Sequence, residues 1–368
     1  MPEPLKNLYT KNFFDGLAFA FEEALPMYDH SRYLRLVFNK DWKSMELKQR
    51  VRHAALCLQD FLPASFPKAA PQLVKASKLL RERSQKGYGY FCIFLCDYVE
   101  VFGLDHFKES MNAIEQVTQL ASAEFCIRQF ILKYPKATME QLMEWSTHKS
   151  QDVRRLASEG CRPRLPWAIA LPVFKKDPSL ILPILENLKT DESEYVRRSV
   201  ANNLNDIAKD NPEVVLKLIS RWKGKHSYTD QIIKHGCRTL LKKGNVVALK
   251  HLGYESACKV KVENFIILKK KIKMGESLNF SFDFKLQEKK SHKLRLEYGI
   301  DYRKSNGKSN RKIFKVTEGK FEPGKIYSIE RKQRFQDLTT RKHYPGMHSI
   351  AILINGNECC SENFNLGE

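Results

Sequence analysis

The segment QDVRRLASE at 151–159 returns as EYVRRSVAN at 194–202, 43 residues further along. A fainter copy, QIIKHGCRTLLKKG at 231–244, follows 36 residues later, and SAEFCIRQFILKYP at 122–135 fits the same place one unit upstream. A period of roughly 40 residues with two helices per unit is that of HEAT/armadillo-type repeats, in which each unit buries its apolar face only against its neighbours. Such units stack into a solenoid whose equivalent helices line one concave face. The Val-Arg-Arg element is therefore expected in register along that face.

The remainder of residues 1–253 agrees with a helical reading. SMELKQRVRHAALCLQDFL (44–62), LILPILENLKT (180–190) and EVVLKLISRW (213–222) carry apolar residues three and four apart, broken by Pro, Gly, Asp and Ser. Asp177-Pro178 and Asn211-Pro212 each place a capping residue before a proline suited to a first helical position. Beyond residue 256 the period becomes two. SLNFSFDFKL (277–286) alternates strictly, and KLRLEYGIDYRK (293–304), KIFKVTEGKF (312–321) and HSIAILING (348–356) are further strands. They are punctuated by Ser305-Asn306-Gly307, Pro323-Gly324, Pro345-Gly346 and Asn355-Gly356. The expected architecture is mainly α, a HEAT-like α-helical repeat solenoid over 1–253 followed by a small all-β immunoglobulin-like sandwich over 254–368.

The chain has 63 Lys+Arg against 42 Asp+Glu, a net charge of +21, and this points to a polyanionic partner. Residues 254–368 hold 24 Lys+Arg against 14 Asp+Glu, a surplus of 10, so a third of the chain carries about half of the charge. The β region is thus expected to make a second nucleic-acid contact. The plain alternative is a basic surface that serves solubility. No apolar run approaches the roughly 20 residues that span a bilayer, which predicts no membrane partner. The opening MPEPLKNLYTKNFFDGLAFAF has no secretory pattern, and nine cysteines without paired CxxC motifs predict a reduced, cytoplasmic protein without structural zinc. Cys57, Cys92, Cys96, Cys126 and Cys237 read as buried thiols, and the vicinal Cys359-Cys360 lacks partner ligands. GxGxxG, Walker A and HExxH are absent, so neither a nucleotide cofactor nor a metal is expected.

Three stretches carry candidate chemistry. Around Arg154, Arg155, Glu159, Arg162, Arg164 and Trp167 the density of forked cations beside one carboxylate and one indole suits phosphate contacts and stacking. The structural alternative is a repeat helix whose arginines bridge acidic neighbours, with Trp167 in the core. In Asn202-Asn203-Leu-Asn205-Asp206, polar residues sit at helix-interior positions that they disfavour. Asp206 falls one turn beyond Asn202, and such residues also tie adjacent repeats. Glu124 opens a helix, where a carboxylate is ordinarily favourable with the macrodipole.

SAEFCIRQFILKYP (122–135), RRLASEGCRPRLPWA (154–168) and VRRSVANNLNDIAKDNP (196–212) resemble the signature blocks of the AlkC branch of AlkC/AlkD-type DNA alkylation repair glycosylases. CDYVEVFGLDHFKESM (96–111) and the RTLLKKG ending (238–244) fit as well, and the β region resembles the immunoglobulin-like extension of some members. At 232–237 the chain has Ile-Ile-Lys-His-Gly-Cys where the family tends to show an aromatic and Arg-His-Ala, although Lys234 and Arg238 keep positive charge there. The resemblance implies a monomeric, monofunctional glycosylase that excises cationic bases such as N3-methyladenine and N3-methylcytosine from double-stranded DNA. It implies that Glu124, Glu159 and Asp206 form an acidic cluster stabilising an oxocarbenium-like sugar and placing water, with Trp167 as an aromatic wall. Arg154, Arg155, Arg162, Arg164, Arg197 and Arg198 are candidates for phosphate contacts, of which about half are expected to be structural instead. Rival readings are a non-enzymatic HEAT-repeat DNA binder and a HEAT-type protein adaptor. A pure binder has no use for carboxylates in a basic groove, since they repel phosphate, and an adaptor's binding would not fall steeply with salt.

Overall fold

A computed structural model describes residues 4–83, 89–255, 257–337 and 342–368. Among the described residues seventeen α-helices precede eight β-strands, and the chain divides into two compact units. One comprises Met1–Asn211 with Gly224–Gly236, the other Pro212–Lys223 with Cys237–Glu368. Among the described residues no helix is long and apolar enough to cross a membrane.

In the first unit the repeated segments form equivalent helices. Gln151–Gly160 packs against Glu194–Asp210, which packs in turn against Ser227–Gly236. Small residues at the crossings let these helices approach. Ser158 and Ser199 share a 2.5 Å hydroxyl contact, and Asn203 donates to the Ser158 carbonyl at 2.8 Å. A Cβ on Gly236 would meet the Ala201 carbonyl at 3.3 Å. The arginine echo has a structural purpose at its first position. Arg154 Nη1 donates to the His148 and Lys149 carbonyls at 2.9 Å each, and Arg197 Nη1 donates to those of Asp191 and Glu192 at 2.9 and 2.6 Å. Each guanidinium therefore ties down the loop that leads into its own helix. Arg154 also grips Asp191 bidentately, joining one repeat to the next.

Several local expectations are corrected. Asp177-Pro178 does not open a helix: Asp177 accepts from the Ser179 amide in a turn, and the helix Leu182–Leu188 begins later, with Pro183 in its first turn. Asn211-Pro212 does stand at the start of Pro212–Trp222. Glu124 lies in the turn before Ile127–Lys133 rather than inside that helix. Cys57 is half-buried, whereas Cys92, Cys96, Cys126 and Cys237 are buried, and Cys359 and Cys360 are unbonded thiols on a strand.

In the second unit the strands are β1 (Val260–Ile267), β2 (Lys271–Lys273), β3 (Ser277–Leu286), β4 (His292–Arg303), β5 (Ser309–Phe321), β6 (Ile326–Arg334), β7 (Gly346–Ile354) and β8 (Asn357–Gly367). They form a three-stranded sheet, β1-β3-β6, and a five-stranded sheet, β2-β8-β7-β4-β5, antiparallel except for β2 with β8. The alternation in β3 buries Leu278, Phe280, Phe282, Phe284 and Leu286, and the first four pack with Leu294, Leu296, Ile300, Ile350 and Ile352. The candidate strand at 348–356 stops two residues early. Asn355 and Gly356 take φ of 48° and 83°, the left-handed pair that a two-residue hairpin turn between β7 and β8 requires.

Candidate active site

Glu124, Glu159 and Asp206 lie in one chain of alternating charge. Arg155 Nη1 donates to Glu124 Oε2 at 2.8 Å and to Ser122 Oγ at 2.9 Å, while its Nη2 approaches Glu159 Oε1 at 3.8 Å. Arg162 Nη1 donates to the same Glu159 oxygen at 2.5 Å, and its Nε and Nη2 both lie 2.9 Å from Asp206 Oδ2. Lys209 Nζ closes the row on Asp206 Oδ1 at 2.9 Å.

The helices produce this order directly. Arg155 and Glu159 are one turn apart on Gln151–Gly160, Arg162 follows just past the helix end, and Asp206 comes from the neighbouring repeat. Glu159 is 4% exposed and Asp206 1%, so both charges are held where water cannot screen them. Burial disfavours the charged form of Arg155, but Glu124 and Glu159 outweigh it, and its pKa rises. Arg162 is governed in the same way by Glu159 and Asp206. Two guanidinium groups thus face three carboxylates. The third is matched by Lys209, whose side chain is partly open to solvent.

Trp167 occupies the loop after this helix and is 59% exposed. Its φ of 64° is in the left-handed region, which a bulky residue enters only when its surroundings enforce it. Its carbonyl accepts from Lys48 Nζ, and that ammonium lies 5.5 Å from the centre of the Phe125 ring. Trp167, Phe125, Ile169, Leu47 and Leu56 wall a cleft of about 520 Å³. Asp97 and Glu100 also line it; both bridge to Arg52, and burial raises both of their pKa values. Phe125 follows Glu124 directly, so a single turn serves both the charged chain and the cleft.

The six candidate arginines separate. Arg155 and Arg162 belong to the carboxylate chain, Arg154 and Arg197 tie down the loops before their helices, and Arg164 makes a bidentate pair with Asp210 at 2.8 and 2.6 Å on a more open surface. Arg198 is exposed beside Glu194, Ala201 and His235 and has no hydrogen-bond partner among the described residues. Lys234 is exposed on Ser227–Gly236, and Arg238 lies in the second unit. His235 approaches Asn202 Oδ1 at 3.2 Å. The sequence reading passed over Lys48, Phe125, Arg128 and Lys209. Lys209 was within reach, three residues beyond Asp206 on the same helix.

Comparison with known proteins bears on what such a site belongs to. A model described as DNA alkylation repair enzyme matches residues 104–240, and one described as the C-terminal Ig-like domain of the uncharacterised protein YhaZ matches residues 261–368. The solved structure of the Pseudomonas fluorescens alkylpurine DNA glycosylase AlkC, bound to DNA containing an abasic site analog, superposes with a TM-score of 0.91. It is 36% identical, and the match covers 100% of both chains. The chain belongs to the AlkC-type DNA alkylation repair family. The uncharacterized protein YhaZ of Bacillus subtilis (strain 168) is 43% identical over 352 residues, or 96% of each chain.

Proposed function

We propose that this protein is a monofunctional DNA glycosylase that removes cationic alkylated bases, N3-methyladenine and N3-methylcytosine among them, from duplex DNA. The observation that carries the reading is the row formed by half-buried Glu124 with buried Glu159 and Asp206 in a chain whose net charge is +21. A surface built only to bind phosphate gains nothing from three carboxylates.

The chemistry follows from the charge. In a cationic N-alkylated base the glycosidic bond breaks with its electron pair moving to the base nitrogen, so the base leaves neutral without prior protonation. Positive charge then develops on the sugar, and fixed carboxylates stabilise it. Water adds at C1′, and its proton passes to a carboxylate acting as general base. Arg155 and Arg162 hold those carboxylates apart and oriented, so little reorganisation is required as the charge appears. Trp167 supplies an aromatic wall for the lesion or its sugar. Phosphate contacts fall to side chains with free donors, Arg198 foremost.

The test is base release from methylated duplex DNA carrying N3-methyladenine, with hot alkali to cleave abasic product, for the wild type beside Glu159→Gln and Glu124→Gln. Loss of one oriented charge is expected to slow release by about 10²- to 10³-fold while DNA affinity holds or rises. Release by Glu159→Gln at the wild-type rate removes Glu159 from the mechanism. No release by any form, with tight salt-sensitive binding, leaves a non-catalytic DNA binder.

A further inference from the structure

Arg128 lies on the helix Ile127–Lys133 and is 0% exposed. Its hydrogen bonds run to main-chain oxygens. Nη1 donates to the carbonyls of Gly160 at 2.9 Å and Arg162 at 2.8 Å, and Nε donates to that of Ile169 at 2.8 Å, joined there by Nη2. Burial lowers its pKa to about 10, which still leaves it cationic at neutral pH. The first acceptor is at the end of Gln151–Gly160, where carbonyls have lost their helical partners and the helix dipole favours a cation. The other two stand on either side of Trp167. One guanidinium therefore fixes both ends of the segment that bears Arg162, which separates two of the carboxylates, and Trp167, which walls the cleft.

We infer that Arg128 is a positioning residue for the excision reaction: it sets the distance between the carboxylate row and the Trp167 wall by clamping the 160–169 segment from beneath. It meets the row and the cleft only through the main-chain carbonyls of Arg162 and Ile169 and hydrogen-bonds none of the three carboxylates. The inference rests on the glycosylase reading for its kinetic consequence but not for its structural one. A planar fork suits three carbonyls approaching from different sides. Lysine keeps the charge but concentrates its donors on one strongly hydrated nitrogen.

Arg128→Lys therefore separates charge from geometry. Three of the four tryptophans, Trp42, Trp145 and Trp222, are buried, so acrylamide quenching reports mainly on Trp167. The expected result is a change in the quenching constant of the free protein, DNA affinity within about twofold, and single-turnover base release slowed by about tenfold or more, with the melting transition still cooperative. Because Arg128 acts through this segment, adding Arg128→Lys to Trp167→Ala should slow release by less than about twofold beyond Trp167→Ala alone. Multiplying losses, or unchanged quenching, overturn the inference. If Arg128→Lys fails to fold, Arg128→Gln, which retains two donors without a buried charge, is read by the same measurements. If the wild type releases no base, the glycosylase reading fails, and the quenching comparison alone decides whether Arg128 places Trp167.

Discussion

Replacing Arg162 with methionine leaves Glu159 and Asp206, 4% and 1% exposed, without the cation between them. Removing one partner from a buried ion pair costs about 3–5 kcal/mol, because the remaining charge stays desolvated and unmatched. Lys209 still holds Asp206 and Arg155 still lies near Glu159, which places the expected loss near the lower end, about 3 kcal/mol. For a body of this size that corresponds to a fall in melting temperature of roughly 6–12 °C. The assay is thermal and urea unfolding at neutral pH beside Arg164→Met. The Arg164–Asp210 pair is more exposed, and its removal should cost no more than about 1 kcal/mol. Equal small losses for both variants would refute the view that Arg162 holds two buried carboxylates apart.

Further outcomes are expected. Arg198→Ala should leave the melting temperature unchanged, weaken binding to undamaged duplex and lower the salt slope of log K by about one, whereas Arg197→Ala should destabilise the fold first; salt titrations with parallel melts check both. Gly160→Ala should cost about 1–3 kcal/mol in urea unfolding and slow excision, because its Cβ would fall 2.5 Å from Ile127 Cγ2, next to the carbonyl that Arg128 grips. Phe282→Ala, in the heart of the sheet core, should cost about 3–5 kcal/mol, read by the same unfolding assay.

How far the sequence could be read depended on whether a residue's role was periodic. The Val-Arg-Arg echo gave the stacked helices, and the run from Leu278 to Leu286 gave β3 to the residue, because burial on one face repeats at a fixed interval. Strands β1, β2, β6 and β8 escaped notice. β6 is polar and mostly exposed, and β8 follows directly on a turn and carries few large apolar residues. The roles of the arginines were also hidden. Arg154 and Arg155 are adjacent and identical in type, yet one ties a loop and the other bridges two carboxylates, since a helix sends consecutive side chains about 100° apart. Arg128 beside Ile127, Phe130 and Ile131 has the look of a solvated flank. Only the three carbonyls brought together by a later loop make its burial tolerable.

Arg128 and Arg197 are satisfied largely by neutral oxygens, and Arg197 additionally stacks over the Tyr228 ring at 3.9 Å. Hydrogen bonding of this kind quiets the donors but cancels no charge. Each guanidinium is committed to holding a loop, so it adds to the net charge without offering those donors to a phosphate. The +21 of the sequence therefore overstates the number of cations that a polyanion can contact, and the count of phosphates held should follow the uncommitted side chains instead.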